Sequence, residues 1–345
     1  MSLGVEATVL EVGIGGLYDS TNIVPKPIVT GISALGLDHT AVLGNTIEEI
    51  AKNKAGIYKP SIPALSVPQD QKAGGDVLRQ VAESVGAPFE VVPIIPEDTK
   101  LGVPGSHQRI NASLAVALAS KFLEIKGHKT SMDGDLPESF KQPLAETKWP
   151  GRCQVVQDGE TRWLLDGAHT TESLTSCGRW AWSEGKPDVL VFNCSGGRAA
   201  ETLLASLLEA GAKTSGKSLE ELGAGFEEVV FCTNVTFADG NFKGGESFFF
   251  TSLRRIQVTD GLDLTSKAID PDDLSALATQ NALRDAWLRL NPSFEPTKVH
   301  AKGSIQEAVE IARGLGKRDV LVAGSLHLVG GVMSVAELND ALSMA

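Results

Sequence analysis

Short apolar runs alternate with longer segments of helical periodicity along most of this chain, and this alternation limits its fold more than any other feature. The first half holds three such runs, "EATVLEVGIGG", "PIVTGISAL" and "PALSVP". Around them, "NTIEEIAKNKAGI", "GDVLRQVAESVG" and "SHQRINASLAVALASKFLEIKG" have apolar residues at helical spacing. Strands that alternate with helices predict an α/β fold, a mostly parallel sheet with helices on both faces. Asn45 is the predicted N-cap of the first helix and Gly56 its stop.

The second half resumes the alternation after a polar, proline-bearing segment, Met132 to Lys148, where we place a linker. "RCQVVQDGETRWLLDGAH" predicts a hairpin turning at Asp158-Gly159, and then a helix from Thr171. The strands "DVLVFNCSG", "EEVVFCTN" and "DVLVAGSL" are spaced by the helices "AAETLLASLLEAG", "DDLSALATQNALRDAWLRL" and "SIQEAVEIARGLG". The apolar residues of Val235 to Lys267 follow neither helical nor strand periodicity, which predicts an extended surface excursion.

Length and composition indicate a soluble protein of two domains. A chain of 345 residues can bury two ordinary cores, and we assign residues 1–147 and 148–345 to them. Its 42% hydrophobic and 21% charged content is typical of soluble globular proteins, and no apolar run is long enough to span a bilayer. The first residues show no secretory signal pattern, so none is expected. A net charge of −12 argues against a nucleic-acid partner.

Four cysteines are spread singly through apolar or mixed segments, without a C-x-x-C pair: Cys153, Cys177, Cys194 and Cys232. This pattern predicts buried, reduced thiols in a reducing compartment. A catalytic thiol stays open as an alternative.

Residues 211–218, "GAKTSGKS", match the phosphate-loop pattern G-x-x-x-x-G-K-[ST]. A phosphate loop needs a strand that leads into the glycine turn, whereas the preceding "AAETLLASLLEA" has leucines at helical spacing. Gly211 is therefore predicted to be a helix C′ residue, and Lys213 and Lys217 solvated loop charges. The motif predicts no nucleotide site.

The first 60 residues carry a stronger chemical signal. Glu11 is predicted to end a buried strand before a glycine turn, and His39 follows the next strand. Lys54 ends the helix that follows His39, so the three side chains could meet at the carboxyl edge of a parallel sheet and hold divalent metal and phosphate. Each has a structural alternative: Glu11 could cap a loop, His39 could be a hydrogen-bonded edge histidine, and Lys54 could offset a helix dipole.

Six blocks of the sequence closely resemble folylpolyglutamate synthase, an ATP-dependent ligase of the Mur type. They are "LEVGIGGLYDSTNIV", "GISALGLDHTAVLGNTIEEIAKNKAGIYKP", "HQRINASLAVALA", "KWPGRCQVV", "WLLDGAHTTES" and "VAGSLHLVGGV", in the family's order. The resemblance implies a partial Mur-ligase-like ATPase domain in residues 1–147. A Rossmann-like C-terminal glutamate-ligase domain follows in residues 148–345.

The resemblance also implies roles for single residues of the first domain. Glu11 is similar to a magnesium-binding glutamate, and His39 to a histidine that helps hold a second magnesium ion. Lys54 takes the position of a lysine that the family carbamylates, which makes it an anionic oxygen ligand and a catalytic residue. Gln108 and Asn111 resemble side chains on the adenine side of ATP.

In the second domain, Arg152 takes the position of a catalytic arginine that reaches the terminal phosphate of ATP. Asp166 and His169 resemble ribose- and phosphate-binding residues, and His169 is also assigned a catalytic role. Ser325 and His327 resemble glutamate-binding residues. The structural alternatives are a turn at Asp166 and His169, and a helix N-cap at Ser325.

The implied reaction belongs to one-carbon metabolism and uses ATP and Mg²⁺. ATP phosphorylates the γ-carboxylate of a tetrahydrofolate (poly)glutamate, and the amine of L-glutamate then displaces phosphate. The resemblance implies a monomer when full length, in the cytoplasm, with a mitochondrial form as an alternative. It implies neither a nucleic-acid partner nor a membrane partner.

The family's phosphate loop lies upstream of the strand assigned to Glu11, and this sequence begins just before that strand. Negligible ligase activity and an exposed, association-prone sheet edge are therefore expected of this chain alone. Two other hypotheses about the function of this chain stay open. One is a non-catalytic relative that binds folate, glutamate or a partner chain, and the other is a dihydrofolate synthase-type ligase.

Overall fold

The computed structural model of this protein describes residues 5–128, 136–194, 200–238 and 277–338. The chain divides into two compact units, Met1–Thr147 (unit 1) and Lys148–Ala345 (unit 2). Each unit contains its own sheet and is described by itself. Across the described ranges, no helix is both long enough and apolar enough to cross a bilayer.

Unit 1 is built on a parallel sheet of strand order β1-β2-β3. The strands are Thr30–Ile32 (β1), Ala64–Ser66 (β2) and Phe89–Val91 (β3). The helices are Thr40–Leu43 (α1), Ile47–Lys54 (α2), Lys72–Val85 (α3), Ser106–Ile125 (α4) and Glu138–Glu146 (α5), with 3-10 turns at Ser20–Ile23 and Ala55–Ile57. Ile32 and Ala64 pack with α2 and α3, whereas Leu65 packs with Leu114 of α4. Helices therefore cover both faces, as the alternating pattern predicts.

The expected strand before Glu11 is the main difference in unit 1. Residues 5–12 form no strand, and Val9 and Leu10 are 93% and 52% exposed. A strand is stable only where a neighbour pairs with its N–H and C=O groups, and β1 is the end strand of the described sheet. Glu11 is therefore an exposed residue of an irregular segment, and the prediction that it ends a buried strand is wrong.

Local hydrogen bonding corrects two further details of unit 1. Thr46, not Asn45, caps α2, because its hydroxyl accepts the Glu49 N–H while the Glu49 carboxylate accepts the Thr46 N–H. Helix α2 ends at Lys54, and a 3-10 turn carries the chain through Gly56. The segment predicted as a linker includes α5, Glu138–Glu146, while residues 129–135 lie outside the described ranges.

Unit 2 contains a six-stranded sheet of order β4-β5-β9-β6-β7-β8. The strands are Gln154–Asp158 (β4), Thr161–Leu165 (β5), Val189–Phe192 (β6), Glu228–Cys232 (β7), Val299–Lys302 (β8) and Arg318–Ala323 (β9). The helices are Thr171–Glu184 (α6), Ala200–Ser215 (α7), Leu219–Gly223 (α8), Ala278–Leu290 (α9), Ile305–Gly314 (α10) and Leu326–Val335 (α11), with a 3-10 turn at Pro296–Lys298. Among the described strands of this sheet, the predicted hairpin, β4-β5, is the one antiparallel pair. It turns through Gly159 and Glu160, with Asp158 paired to Thr161.

Alternate residues of these strands enter two separate cores. Leu190 and Phe192 of β6 pack against α6, α7 and α9, in what we call the α7 core. Val189 and Val191 of the same strand pack against α10 and α11, in what we call the α10 core. Both faces of the sheet are therefore buried, which explains why the strands read as continuous apolar runs.

The phosphate-loop match at residues 211–218 lies on helix α7 and the turn after it. Helix α7 continues through Ser215, and Gly211 sits inside it, where an added Cβ would lie 2.5 Å from the ring of Trp182. Gly211 is therefore a packing residue, which corrects the predicted C′ role. The left-handed residue after the helix is Gly216, at φ +67°. Lys217 is exposed between two helices, in agreement with the prediction that the motif is not a phosphate loop.

Strand β8 was not predicted from the sequence, and helix α11 was anticipated only through the alternative role of Ser325 as a helix N-cap. Only residues 235–238 of the predicted excursion, and the part of the predicted helix "DDLSALATQNALRDAWLRL" from Leu277 onward, belong to the described ranges. Ile305 and Gln306 at the start of α10 donate their N–H groups to the carbonyls of Val235 and Thr236. The beginning of the excursion thus lies along the first turn of α10.

Candidate functional site

Asp19 organises the glycine-rich loop that follows Glu11. Its Oδ2 accepts the N–H groups of Gly13 and Ile14 at 3.0 and 3.1 Å. Its Oδ1 accepts the N–H and the hydroxyl of Thr21 at 2.9 and 2.6 Å. The loop is therefore capped by Asp19, in the role that the sequence analysis left open for Glu11.

The same loop lies against the C-terminal end of α2. Gly15 has φ +70°, and an added Cβ would lie 2.3 Å from the Asn53 Oδ1. An added Cβ on Gly16 would lie 2.6 Å from the Lys54 carbonyl oxygen, and Leu17 N–H donates to the Asn53 carbonyl at 2.9 Å. Only glycine permits this approach, so the two glycines fix the loop beside Lys54.

His39 and Lys54 share a neighbour that the sequence analysis missed, Asp38. The exposed His39 has a left-handed backbone, and its Nε2 lies 3.7 Å from the Asp38 Oδ2. Burial lowers the pKa of the half-buried Lys54, and the charge of Asp38 opposes that shift, which places the two groups within electrostatic range. The sequence does contain a signal for Asp38, because this acidic residue directly precedes the predicted site residue His39.

Among the described residues, no group of three or more histidine, cysteine, aspartate or glutamate side chains is placed to hold a metal ion. Lys54 lies close to the glycine loop and to Asp38, while Glu11 is exposed in the segment before that loop. The metal-binding role of Glu11, His39 and Lys54 stays a prediction.

Gln108 and Asn111 lie one turn apart near the start of α4. The Asn111 Nδ2 donates to the Gln108 Oε1 at 3.1 Å, and the Gln108 Nε2 lies 3.1 Å from the His107 Nε2. The neighbouring Arg109 donates to the carbonyls of Pro96 and Thr99, which ties the start of α4 to the preceding loop. The two predicted adenine-side amides thus form one polar patch.

Asp166 is buried where β5 ends and is bonded within its own unit. It is 5% exposed, and its Oδ2 accepts the N–H and the thiol of Cys153 at 2.8 and 3.1 Å. Its Oδ1 accepts the Ala168 N–H at 2.8 Å. The carboxyl group therefore makes the turn that the structural alternative described, and its predicted contact with nucleotide stays a prediction.

The bonds of Asp166 bring the two predicted catalytic residues of unit 2 into one network. Cys153 has φ +44°, and its N–H bond to Asp166 holds this turn just after Arg152. The Gly167 N–H donates to the Gly151 carbonyl at 2.9 Å, and the Gly167 carbonyl lies 3.1 Å from the Nδ1 of His169. The turn that carries Arg152 and the loop that carries His169 are therefore linked by hydrogen bonds.

The two predicted glutamate-binding residues lie at the start of α11. The hydroxyl of Ser325, which is 8% exposed, accepts the Leu328 N–H at 3.4 Å, so Ser325 is the helix N-cap. His327 is exposed in the first turn. Next to them, the buried Asn193 at the end of β6 accepts a hydrogen bond from Gln280 and donates one to Asn234, and this polar group was not predicted. Glutamate binding stays a prediction.

The order of the glycine loop is expected to depend on the ionisation of Asp19. The hydrogen bond from the Thr21 hydroxyl, followed by the backbone N–H bonds, holds the pKa of Asp19 below its ordinary value of 3.8. A lowered folded pKa means that the stabilisation is complete above pH 3.8 and is lost as the pH falls through the folded value. An NMR titration of the Asp19 carboxyl and the Ile14 amide should therefore show a common midpoint below 3.8. A midpoint at or above that value would contradict the loop geometry, and Asp19→Asn should abolish the transition.

Two fungal proteins are similar to this chain along nearly its whole length. A folylpolyglutamate synthase of Neurospora crassa is 36% identical over 99% of this chain. A folylpolyglutamate synthase of Saccharomyces cerevisiae is 37% identical over 97% of it. The matched parts are 63% and 58% of those proteins, so the chain spans about three fifths of the length of these relatives. No protein-family model matches the chain.

Solved structures show the same architecture. A Mycobacterium tuberculosis folylpolyglutamate synthase complexed with ADP has a TM-score of 0.62 at 20% identity, covering 94% of this chain and 66% of that one. Escherichia coli FolC in complex with DHPP and ADP has a TM-score of 0.59 at 20% identity, covering 95% and 66%. These similarities confirm the predicted α/β fold class.

Proposed function

We propose that this chain, which is related to folylpolyglutamate synthases over nearly all of its length, contributes to the ATP-dependent addition of L-glutamate to the γ-carboxylate of a tetrahydrofolate (poly)glutamate. The observation that carries the proposal is the 36–37% identity with two such enzymes across 97–99% of the chain. Two structural neighbours contain ADP, which supports a nucleotide as the second ligand.

The network around Asp166 supports the proposed roles in unit 2. Arg152 neutralises charge on the transferring phosphoryl group of ATP, and His169 contacts phosphate and ribose. Asp166 acts as a positioning residue, since its carboxyl oxygens are bonded to Cys153 and Ala168. In unit 1, the amides of Gln108 and Asn111 bind adenine, for which their polar patch offers donors and acceptors.

The residues around Lys54 fit a magnesium ion. Magnesium prefers oxygen ligands, and Asp38 supplies a carboxylate beside His39. The lowered pKa of Lys54 favours its neutral amine, the form that reacts with carbon dioxide to give an oxygen-bearing carbamate. We propose that Lys54, His39 and Asp38 hold magnesium, with Glu11 as a further carboxylate. When bound, the ion neutralises phosphate charge.

The proposed reaction has two steps, phosphoryl transfer and then amide formation. An oxygen of the folate-linked γ-carboxylate attacks the γ-phosphorus of ATP, so that ADP leaves and an acyl phosphate forms. The neutral amine of L-glutamate next attacks the acyl carbon, inorganic phosphate leaves, and the amide nitrogen loses one proton. Arg152 stabilises the charge that develops on the phosphoryl oxygens in both steps. Ser325 and His327 bind the incoming glutamate.

We also propose the setting in which this chemistry occurs. The enzyme works as a monomer when full length, in the cytoplasm, with a mitochondrial form as an alternative. The four cysteines support a reducing compartment, because all four are buried and thiols of this kind persist where disulfides do not form.

The test uses the protein purified from its source cells, together with variants expressed in those cells. With ATP, Mg²⁺, L-glutamate and tetrahydrofolate diglutamate, mass spectrometry should find a product one glutamate longer and one ADP for each product. Arg152→Ala and His169→Ala should each lower kcat/KM by at least about 100-fold. Arg318→Ala, which removes a surface ion pair with Glu227 and a hydrogen bond to the Lys317 carbonyl, is the matched control and should leave the rate unchanged.

Three outcomes would contradict the proposal in different ways. Extension of dihydropteroate in preference to the folate substrate would indicate a dihydrofolate synthase-type ligase. Calorimetric binding of folate or glutamate without ADP release would indicate a non-catalytic relative. Equal activity of wild type and Arg152→Ala would remove Arg152 from the reaction.

A further inference from the structure

The side chain of Gln69 bridges the ends of two neighbouring strands in unit 1. Its Nε2 donates to the Ser66 hydroxyl at 3.0 Å and to the Val67 carbonyl at 3.2 Å, both at the end of β2. The same nitrogen donates to the Ser33 carbonyl at 3.1 Å, and the Oε1 accepts the Leu35 N–H at 2.8 Å, both just beyond β1. One amide group therefore ties the segment after β1 to the end of β2.

The segment that Gln69 holds leads directly to Asp38 and His39. Leu35 is also anchored by its side chain, because an added Cβ on Gly74 of α3 would lie 2.7 Å from the Leu35 Cδ1. The next residue is Gly36, and a Cβ added to it would have no atom within 4 Å. Gln69 thus anchors the 33–39 segment to the end of β2 through the backbone of Ser33 and Leu35.

We propose that Gln69 is a positioning residue that fixes the 33–39 segment, and with it Asp38 and His39, beside Lys54. The inference rests on the proposed function, since it assigns Gln69 to the cation and phosphate edge of that site. Gln69 touches neither ligand nor reacting atoms and acts through the backbone at Ser33 and Leu35. Residues that orient metal ligands in this way typically change metal affinity by 10–100-fold when replaced.

Gln69→Leu and Gln69→Glu distinguish the contribution of the Gln69 acceptor from that of its donor. Leucine removes all four hydrogen bonds at similar size. Glutamate keeps an acceptor for the Leu35 N–H and loses the donor that serves Ser33, Ser66 and Val67. Gln142→Leu is the matched control in the same unit, because Gln142 is exposed on α5 and bonds only to Glu146 among its described contacts. Its replacement should change neither readout described next.

Two measurements that do not require turnover test the inference. Amide hydrogen exchange at Leu35 should be at least about tenfold faster in Gln69→Leu, with a smaller change in Gln69→Glu. The dissociation constant for Mn²⁺ alone, followed by electron paramagnetic resonance, should rise by about tenfold in Gln69→Leu. Unchanged exchange, unchanged Mn²⁺ affinity, or a wild-type protein that binds no Mn²⁺ would each overturn it. Glutamate ligation is assayed separately on wild type, so its failure refutes the proposed function while these two readouts still decide the role of Gln69.

Discussion

Replacing Asp166 with alanine is expected to lower the free energy of unfolding of unit 2 by about 4 kcal/mol. The substitution leaves the N–H groups of Cys153 and Ala168 buried without their acceptor and removes the acceptor of the Cys153 thiol. A buried donor without a partner costs about 1–3 kcal/mol, and the left-handed turn at Cys153 loses the bond that holds it. For a unit of this size, the melting temperature should fall by roughly 8–16 °C.

Thermal and urea unfolding, monitored by tryptophan fluorescence, would measure this loss. Asp285→Ala is the matched control, since Asp285 is exposed on α9 and pairs with Arg284 at the surface. It should change stability by less than about 0.5 kcal/mol. Asp166→Asn keeps one acceptor oxygen and should lie between the two. If Asp166→Ala were as stable as Asp285→Ala, the hydrogen bonds of Asp166 would contribute nothing to the free energy of unfolding.

Gly324→Ala is expected to destabilise unit 2 by about 3–5 kcal/mol. Gly324 follows β9 at φ +98°, a conformation that disfavours a Cβ. An added Cβ would also lie 2.0 Å from the Asn193 carbonyl oxygen and 2.8 Å from the ring of Phe192. Neither neighbour can move easily, because one is backbone at the end of β6 and the other is a fully buried core ring.

Gly316→Ala separates the steric cost from the conformational cost. Gly316 has φ +76°, and an added Cβ would meet nothing within 4 Å. Alanine at this position should cost only about 1–2 kcal/mol, the penalty of a left-handed backbone. The measurement is the urea midpoint of each variant at constant slope. Equal losses for the two variants would show that the close approach to Asn193 is relieved at no cost.

Several strands and helices of unit 2 could be predicted because each of them carries its own local signal. The β4-β5 hairpin follows from its turn residues, and α6 begins at Thr171 as its periodicity indicates. The segment before Glu11 misled the prediction for the opposite reason, since an apolar run becomes a strand only beside a partner strand. Strand β8, "VHAK", was missed because the three residues after Val299 are only half-buried and its apolar pattern is weak.

The sequence predicted which residues belong to the candidate site better than it predicted their hydrogen-bond partners. Arg152, Asp166 and His169 come from two short motifs, and the structure links them as neighbours. Gln69 could not be found in this way, because a glutamine in a loop has no periodic or motif signal. Its four bonds depend on residues up to 36 positions away in the chain, so only the folded arrangement reveals them.

The division of strands such as β6 between two cores also determines which insertions and deletions the protein tolerates. Inserting one residue early in β6 would turn Phe192 and Leu190 toward the α10 core, where valines now fit, and would send Val191 to the opposite side. Inserting two residues would restore the original sides. Length variation among relatives should therefore collect at hairpin tips such as Gly159, where an added Cβ would meet nothing within 4 Å, and should be rare within the strands.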